Sequence, residues 1–290
     1  MKKLLILLLI ILLLSFAGCT TKGISYDIVA TTLPVYDFTS SLCEGTGLTT
    51  GRLVTESVSC LHDYTLQVFQ MRMIEDADTV IISGAGLEEF LSDALYRVDS
   101  VIDASTNVHI HSSDHDHHDE SGHHHDHDPH IWLSPENAKY MAQNICDGLV
   151  KLYPQHKEAF LENLNTLLEK LDALQQYGER ELGNLSTREF ITFHDGFSYF
   201  AESFDLTILE AIEEESGSEA SAAEIIHLVD LVQSHRLPAI FTELSGSEAC
   251  AGVIAAETGV NIYTLDMAMA GNSYFDAMYH NIDTVKEAME

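Results

Sequence analysis

The chain has 290 residues, of which 46% are hydrophobic, and its formal net charge is −32 because 46 acidic residues outnumber 14 basic ones. This charge excludes nucleic acid and anionic lipid as ligands, since both would be repelled, whereas cations would be attracted. The acidic balance also favours solubility, so it does not by itself specify a cationic ligand. The length is sufficient for two lobes of ordinary domain size.

The N-terminus has the pattern of an export signal. Two lysines precede an unbroken apolar run at residues 4–14, which is too short for a comfortable membrane span, and small residues lead to Cys19. A cysteine directly after Ala-Gly resembles a bacterial lipobox, although Phe16 stands where an aliphatic residue is usual. We predict a lipoprotein signal peptide over residues 1–18, lipidation of Cys19 and a tether over residues 19–25. The lipid would anchor an exported chain to the outer face of the bacterial cytoplasmic membrane, and an ordinary secretory signal is the alternative.

Short apolar strands alternate with helices in the next part of the chain. Strands are predicted at residues 26–31, 53–58, 79–83 and 101–104, with helices from Pro34 and over residues 66–76 and 87–97. This alternation implies a mostly parallel sheet covered by helices on both faces. We assign residues 26–152 to an N-terminal α/β lobe.

Two cysteines of this lobe form a possible disulfide. Cys43 and Cys60 lie seventeen residues apart, and an exported chain meets oxidising conditions. Buried free thiols are the alternative. No CxxC spacing indicates a cysteine-based zinc site.

A histidine-rich segment interrupts the N-terminal lobe. Ten of the sixteen histidines lie between His109 and His130, together with six acidic residues. A segment this polar cannot bury itself, so residues 109–128 are predicted to form a solvated loop. Imidazole at this density captures borderline metals such as zinc, copper or nickel. The predicted auxiliary metal ligands are His109, His111, His115, His117, His118, His123, His124, His125 and His127.

Helical patterns dominate the middle of the chain. Ser134 and Pro135 have the residue types of a helix start, and helices are predicted over residues 136–152 and from Pro154 to about residue 182. The second would span roughly 40 Å at about 1.5 Å per residue. We predict that residues 153–183 form a rigid linking helix between two lobes.

The alternation of strands and helices resumes after the linking helix. Strands are predicted at residues 189–193, 206–210, 239–242 and 261–265, with helices at residues 221–234, 248–258 and 274–289. Residues 184–290 are therefore assigned to a C-terminal α/β lobe. The predicted fold class is α/β, with two lobes that each contain a mostly parallel four-stranded sheet.

Four side chains with metal-ligand chemistry lie where strands give way to loops. They are His62, His130, His194 and Asp266. Ligands of open α/β sheets bind beyond the carboxyl ends of the strands, and each predicted lobe supplies two candidates, so the site is expected in the cleft between the lobes. Three imidazoles and one carboxylate form a borderline-soft set that suits tetrahedral zinc. A single strand-end histidine is more often structural, so the prediction depends on the four together with the histidine-rich loop.

Further carboxylates accompany these candidates. Glu243, at the end of a predicted strand, is the substitute ligand if Asp266 is displaced, although a supporting or structural role is favoured. Asp128 and Asp195 are possible partners for ring N–H groups, which metal-bound histidines usually donate to carboxylates, carbonyls or water. Side chains adjacent on a strand point to opposite faces, so turn-capping aspartates are the alternative.

The segments that carry these residues resemble the zinc-binding branch of the metal-specific solute-binding proteins of ABC transporters. The matching segments are HDY at His62, DPHIWLSPENA at His130, FHDGFSYFAE at His194, FTE at Glu243 and LD…SYFDAMYHN at Asp266. They occur in the family order, and the resemblance covers nearly all of residues 25–290. It implies two lobes joined by one long helix, with metal bound between them by His62, His130, His194 and Asp266. Relatives that take manganese usually have a carboxylate where this chain has His194.

Two departures from the family pattern bear on the ligand set. The proline that usually follows the first ligand histidine is absent after His62. The segment at Asp266 reads LDMAMAG rather than LDPLG, which makes Asp266 the least secure of the four ligands.

The resemblance implies a monomeric, extracytoplasmic protein that binds Zn²⁺ and delivers it to an ABC transporter permease with its ATPase subunit. It implies that the chain is not an enzyme. A manganese-binding member of the same family is the alternative. A zinc buffer that uses only the loop, and a metallohydrolase with a metal-bound water, are further alternatives; the latter lacks an HExxH motif and has only Glu243 as a candidate base.

Overall fold

The computed structural model describes residues 25–56, 61, 64–111, 127–213, 221–244, 249–269 and 271–290. The predicted signal peptide, Cys19 and most of the tether lie outside these residues, as do Cys60, His62 and the central histidines of the loop, which are His115, His117, His118, His123, His124 and His125. Among the helices described, none is long and apolar enough to cross a membrane.

The first sheet is parallel and four-stranded. Its strands are β1 (Ile28–Ala30), β2 (Thr50–Arg52), β3 (Thr79–Ile82) and β4 (Val101–Asp103), in the order β2-β1-β3-β4. Helices α1 (Leu33–Leu42), α2 (Val68–Asp76) and α3 (Ser92–Leu95) follow β1, β2 and β3. Val29 and Val80 are fully buried at the centre of this sheet. All described pairings are parallel, because a helix crosses over between successive strands.

Two predicted elements of this lobe are wrong in position or length. The second strand lies at Thr50–Arg52 rather than at residues 53–58. Thr50–Arg52 has no apolar side chain and pairs with β1 through its backbone, so an apolar pattern could not reveal it. Gly51 lies against the Tyr26 ring, and a Cβ at this position would approach ring carbon Cδ2 to 2.5 Å. The helix predicted over residues 87–97 is a 3₁₀ turn, Glu89–Leu91, followed by the single turn of α3.

Two long helices follow the first sheet and precede the second sheet in the chain. Helix α4 (Pro135–Leu152) begins with Pro135 at its first position, and the Ser134 side chain accepts a hydrogen bond of 3.3 Å from the Asn137 backbone N–H. After a 3₁₀ turn, Pro154–His156, helix α5 (Lys157–Leu182) continues for 26 residues. Its buried stripe contacts α1 and α4 of the first lobe. The fully or almost fully buried side chains are Phe160, Leu164, Leu167, Leu171, Leu174 and Leu182.

The second sheet has the same architecture. Its strands are β5 (Glu189–His194), β6 (Thr207–Glu213), β7 (Ala239–Glu243) and β8 (Asn261–Leu265), all parallel and in the order β6-β5-β7-β8. Helices α6 (Ser198–Ser203), α7 (Ala222–His235), α8 (Ala249–Thr258) and α9 (Tyr274–Met289) connect and cover it. Helix α9 packs on α5, so α5 contacts both lobes. The predicted fold class, with two parallel four-stranded sheets joined through one long helix, is confirmed.

Hydrogen bonds join the two lobes at the segment between β8 and α9. The Trp132 indole N–H donates to the Met267 carbonyl at 2.8 Å, and the Tyr274 hydroxyl donates to the Trp132 carbonyl at 2.8 Å. The Tyr274 backbone N–H donates to Asp37 Oδ2 at 2.7 Å, and Arg52 donates to the Gly271 carbonyl at 2.9 Å. The lobes therefore meet through directed bonds as well as through apolar packing.

Candidate metal centre

Two histidines from different lobes face each other in the interior of the protein. His130 lies directly before the 3₁₀ turn Ile131–Leu133, and His194 is the last residue of β5. Each is only 3% exposed. Their Nε2 atoms are 3.4 Å apart, and the two rings are nearly perpendicular, at 86°.

This separation has the value expected for two ligands of one zinc ion. Zinc–nitrogen bonds of about 2.0–2.1 Å at a tetrahedral angle would hold two ligating nitrogens roughly 3.3–3.4 Å apart. A single hydrogen bond between the rings would also give this distance, with the donor set by the tautomers. The contacts of the other ring nitrogens bear on the tautomers.

Each histidine directs its Nδ1 atom toward a carboxylate. His130 Nδ1 lies 2.8 Å from Asp128 Oδ1, and the same oxygen accepts the His130 backbone N–H at 2.9 Å. His194 Nδ1 lies 4.0 Å from Glu243 Oε2, and Glu243 is 4% exposed. The 2.8 Å contact with Asp128 favours the His130 tautomer that carries its proton on Nδ1, which leaves the lone pair of His130 Nε2 available to a metal. The 4.0 Å separation of His194 Nδ1 from Glu243 Oε2 is too long for a direct hydrogen bond. His130 therefore has the environment expected of a metal-binding histidine with a supporting carboxylate, and a second carboxylate lies near His194.

The Asp128 carboxyl is kept ionised by its histidine. Burial raises the pKa of this carboxyl, but the hydrogen bonds from the His130 side chain and backbone oppose burial, and the net pKa lies below the usual value. An ionised carboxylate beside Nδ1 increases the electron-donating capacity of the ring.

The register of the second sheet brings Glu243 behind His194. Thr192 of β5 pairs with Phe241 of β7. His194 and Glu243 each lie two residues further along their strands, and side chains two apart share a face of the sheet. The neighbouring Gly196 leaves space for the His194 ring, because a Cβ at residue 196 would lie 2.7 Å from His194 Cδ2 and 3.0 Å from His194 Nε2. Gly196 lies within the HDG part of the FHDGFSYFAE segment, but the residue pattern alone does not indicate its role beside His194.

The two ends of the predicted histidine-rich loop meet at helix α6. The His111 backbone N–H donates to the Tyr199 hydroxyl at 2.9 Å, and that hydroxyl donates to the Asp128 carbonyl at 3.0 Å. The His111 ring stacks on Tyr199 with centroids 4.2 Å apart, and its Nε2 lies 2.8 Å from Glu202 Oε2. His109 lies 5.8 Å from His111 between ring centroids. Sequence spacing does not indicate Tyr199 or Glu202 as contacts of the loop, because they are about 90 residues away from His111.

Asp266 lies at the carboxyl end of β8 but is held in a local turn. Its Oδ1 accepts the Ala268 backbone N–H at 2.8 Å. Burial raises the pKa of the Asp266 carboxyl above its usual value, although the Ala268 hydrogen bond and His280 act in the opposite direction. Within the described ranges, no group of three or more His, Cys, Asp or Glu side chains is placed to hold a metal ion. The structure therefore brings His130 and His194 together but not Asp266, and His62 lies outside the described residues.

The remaining predicted roles are untested. Cys43 is buried, and burial together with Asp27 raises the pKa of its thiol to about 12. Because Cys60 lies outside the described residues, the disulfide stays a prediction. The pairing of Asp195 with a ligand histidine also stays a prediction.

Comparisons with known proteins agree with this architecture. Residues 28–288 match the family described as "ZnuA: Zinc-uptake complex component A periplasmic". A putative metal-binding protein of Treponema pallidum is 29% identical over 241 residues, which are 78% of this chain and 76% of that protein. The zinc-binding lipoprotein AdcA of Streptococcus pneumoniae is 29% identical over all of this chain and 62% of its own length.

A solved structure explains the partial coverage of AdcA. The crystal structure of the Zn(II)-bound ZnuA-like domain of AdcA from Streptococcus pneumoniae superposes with a TM-score of 0.76 at 27% identity. It covers 91% of this chain and 99% of that domain. The chain therefore spans less than two thirds of full-length AdcA but nearly all of its ZnuA-like domain.

Proposed function

Since this chain belongs to the ZnuA family of zinc-uptake complex components, we propose that it captures Zn²⁺ outside the cytoplasm and delivers it to an ABC transporter permease. One observation carries this proposal: buried Nε2 atoms of His130 and His194, one from each lobe, lie 3.4 Å apart with a carboxylate near each Nδ1. Zinc is the cargo of this activity, and no catalytic role is proposed.

The proposed ligand set combines the buried pair with two predicted residues. His130 and His194 supply two imidazoles, and His62 and Asp266 are proposed as the third imidazole and the carboxylate. Glu243 is proposed as a supporting residue rather than a ligand, because it lies near His194 Nδ1, on the side of the ring away from the Nε2 that faces His130. Three imidazoles favour zinc over manganese, which prefers an oxygen-rich set.

Zinc capture depends on keeping the Nε2 lone pairs of His130 and His194 available to the metal. Asp128 keeps the His130 proton on Nδ1 and orients the ring through a second bond to the backbone. Burial excludes water from the two Nε2 atoms, and the negative charge of the chain raises the local concentration of cations. Release to a permease requires a change in the ligand geometry, and the lobe contacts through Trp132 limit the size of that change.

The surroundings of this activity are also proposed. Cys19 is proposed as the lipid anchor that keeps the chain at the outer face of the membrane, beside the permease and its ATPase subunit. The histidine-rich loop is proposed as an accessory collector of metal. Its ends meet at Tyr199, so collected metal would be close to His130.

The proposal is tested by competitive zinc and manganese titration of residues 20–290, with metal content counted. The same chain without residues 109–126 is titrated in parallel, together with its His194→Ala variant. We expect one tight zinc per loop-deleted chain, its loss in His194→Ala, and weak manganese binding. His235→Ala is the matched control, because His235 is a surface histidine that also pairs with a carboxylate, Glu189, at 2.8 Å.

The other outcomes discriminate between the alternatives. Loss of all tight binding on loop deletion would contradict the cleft site and favour a zinc buffer. A preference for manganese would contradict the proposed ligand set. Retention of tight zinc in His194→Ala would exclude His194 as a ligand.

A further inference from the structure

Asn281 makes an unusual two-bond contact with the backbone of Asp266. It lies on α9, is fully buried, and is fifteen residues from Asp266 in sequence. Its Oδ1 accepts the Asp266 backbone N–H at 2.7 Å, and its Nδ2 donates to the Asp266 carbonyl at 2.7 Å. Only one orientation of the amide satisfies both bonds, since the N–H needs an acceptor and the carbonyl needs a donor.

This contact replaces strand pairing at the point where the chain leaves the sheet. The β7–β8 ladder ends at Leu265, and β8 is an edge strand. The next residue therefore needs another partner for its backbone polar groups, which are costly to bury unpaired. The Asn281 amide supplies both bonds, and so determines the direction in which the Asp266 side chain leaves the backbone.

The following residue is tied to the other lobe. The Met267 carbonyl accepts the Trp132 indole N–H at 2.8 Å, and Trp132 lies two residues after His130. Asn281 on one side and Trp132 on the other thus hold two consecutive backbone units, at Asp266 and Met267. Through them the position of Asp266 is related to that of His130.

We propose that Asn281 is a positioning residue of the metal site, which acts by orienting Asp266 as the carboxylate ligand. This inference rests on the proposed function. It assigns a purpose to a buried asparagine that is not itself a ligand. Removal of the amide frees the Asp266 backbone to rotate, so the carboxylate is no longer oriented for a bound metal, while the histidine pair stays in place.

A double-mutant cycle tests this role. Asn281→Ala, Asp266→Ala and the double variant are made in the full chain and titrated with zinc against a competing chelator, with His194→Ala as the baseline for loop binding. We expect Asn281→Ala to weaken zinc binding by about 10–100-fold, the usual effect of losing an outer-shell partner, and Asp266→Ala to weaken it at least as much. The double variant should be no weaker than Asp266→Ala, because residues that act through one another are not additive.

Two further variants separate positioning from folding. Asn281→Asp keeps the acceptor for the Asp266 N–H but presents a carboxylate to the Asp266 carbonyl, so it should weaken binding in a chain of nearly unchanged volume. Asn163→Ala is the matched control, since the Asn163 amide also donates two bonds, to the Leu42 and Glu44 carbonyls, away from the site. Asn163→Ala should leave zinc affinity unchanged. Thermal unfolding of each metal-free variant measures the structural cost separately.

The possible results are distinguishable. Additive losses in the double variant, or wild-type affinity in either Asn281→Ala or Asp266→Ala, would overturn the positioning role while the His194-dependent site remains. A wild-type chain with no His194-dependent zinc site would instead overturn the proposed function.

Discussion

At the residue scale, the site depends on which nitrogen of each histidine faces the other ring. The Nε2 atoms of His130 and His194 meet at 3.4 Å, while each Nδ1 atom is directed toward a carboxylate. A buried imidazole without such a partner would have no fixed tautomer and would bind metal less well. We therefore propose that the two carboxylates support the site although neither is proposed as a ligand.

Asp128→Asn tests this arrangement. The amide retains the shape of the side chain but removes its negative charge, and we expect zinc affinity to fall by about 10-fold or more. Isothermal titration measures the affinity and the number of zinc ions bound. Asp172→Asn is the control, because Asp172 is a surface residue that bonds Lys139 at 2.8 Å. Unchanged affinity in Asp128→Asn would mean that Asp128 only caps the local turn.

At the element scale, a buried carboxyl organises the turn that follows β3. Glu88 accepts hydrogen bonds from the Thr31 hydroxyl at 2.6 Å and from the Ser83 and Gly84 backbone N–H groups at 2.7 and 3.0 Å. Gly84 has a φ of +83°, and a Cβ there would lie 2.0 Å from Asp103 Oδ1, so only glycine suits this turn. The Glu88 carboxyl therefore ties the turn after β3 to Thr31, which follows β1.

The same carboxyl makes stability depend on pH. Burial raises the pKa of Glu88 from 4.5 to about 7, and the three donors only partly oppose this. The folded state therefore holds a proton that the unfolded state has lost, so stability falls as pH rises from about 4.5 to about 7. Glu88 contributes a slope of about 1.4 kcal/mol per pH unit in this window.

Glu88→Gln should flatten this slope, since the amide does not titrate. Urea unfolding of the metal-free chain at about pH 5, 6 and 7 measures the free energy of unfolding across this window, and hence the slope. Glu89→Gln, an exposed neighbour in sequence, is the control and should keep the wild-type slope. An unchanged slope in Glu88→Gln would show that other groups produce the pH dependence.

At the scale of the whole molecule, the lobes are connected by α5 and by a small set of hydrogen bonds. The Trp132 indole is fully buried and reaches a carbonyl 135 residues away in sequence. Tyr274, also buried, returns a bond to the Trp132 carbonyl. A long helix with few crossovers resists wide hinge opening, so we expect lobe movements on metal binding to be small.

Trp132→Phe measures the contribution of this connection. The ring still fills most of the space, but the Met267 carbonyl loses its donor, and a buried unsatisfied group costs about 1–3 kcal/mol. Urea unfolding of the metal-free chain should show this loss. Tyr96→Phe, at a residue that is 93% exposed, is the control for removing an aromatic polar group. Wild-type stability in Trp132→Phe would mean that water replaces the lost donor.

The sequence by itself determined the fold class and the order of the two sheets, and it predicted the chemistry of the site. Strand and helix patterns are local, so alternation was sufficient for seven of the eight strands in the described part of the chain, and histidines at strand ends indicated a metal. It did not predict β2, because Thr50–Arg52 pairs through its backbone and is selected by the Tyr26 ring rather than by apolar periodicity.

The tertiary structure alone decided which side chains of the candidate site lie close to one another. The His130–His194 pair spans 64 residues of sequence, and the register of β5 and β7 decides that Glu243 lies behind His194. The Asn281 contact and the local turn of Asp266 likewise depend on the packing of α9 against the end of β8. Such relations arise from the packing of distant segments, so residue types and spacing could name the candidate ligands but could not assign their partners.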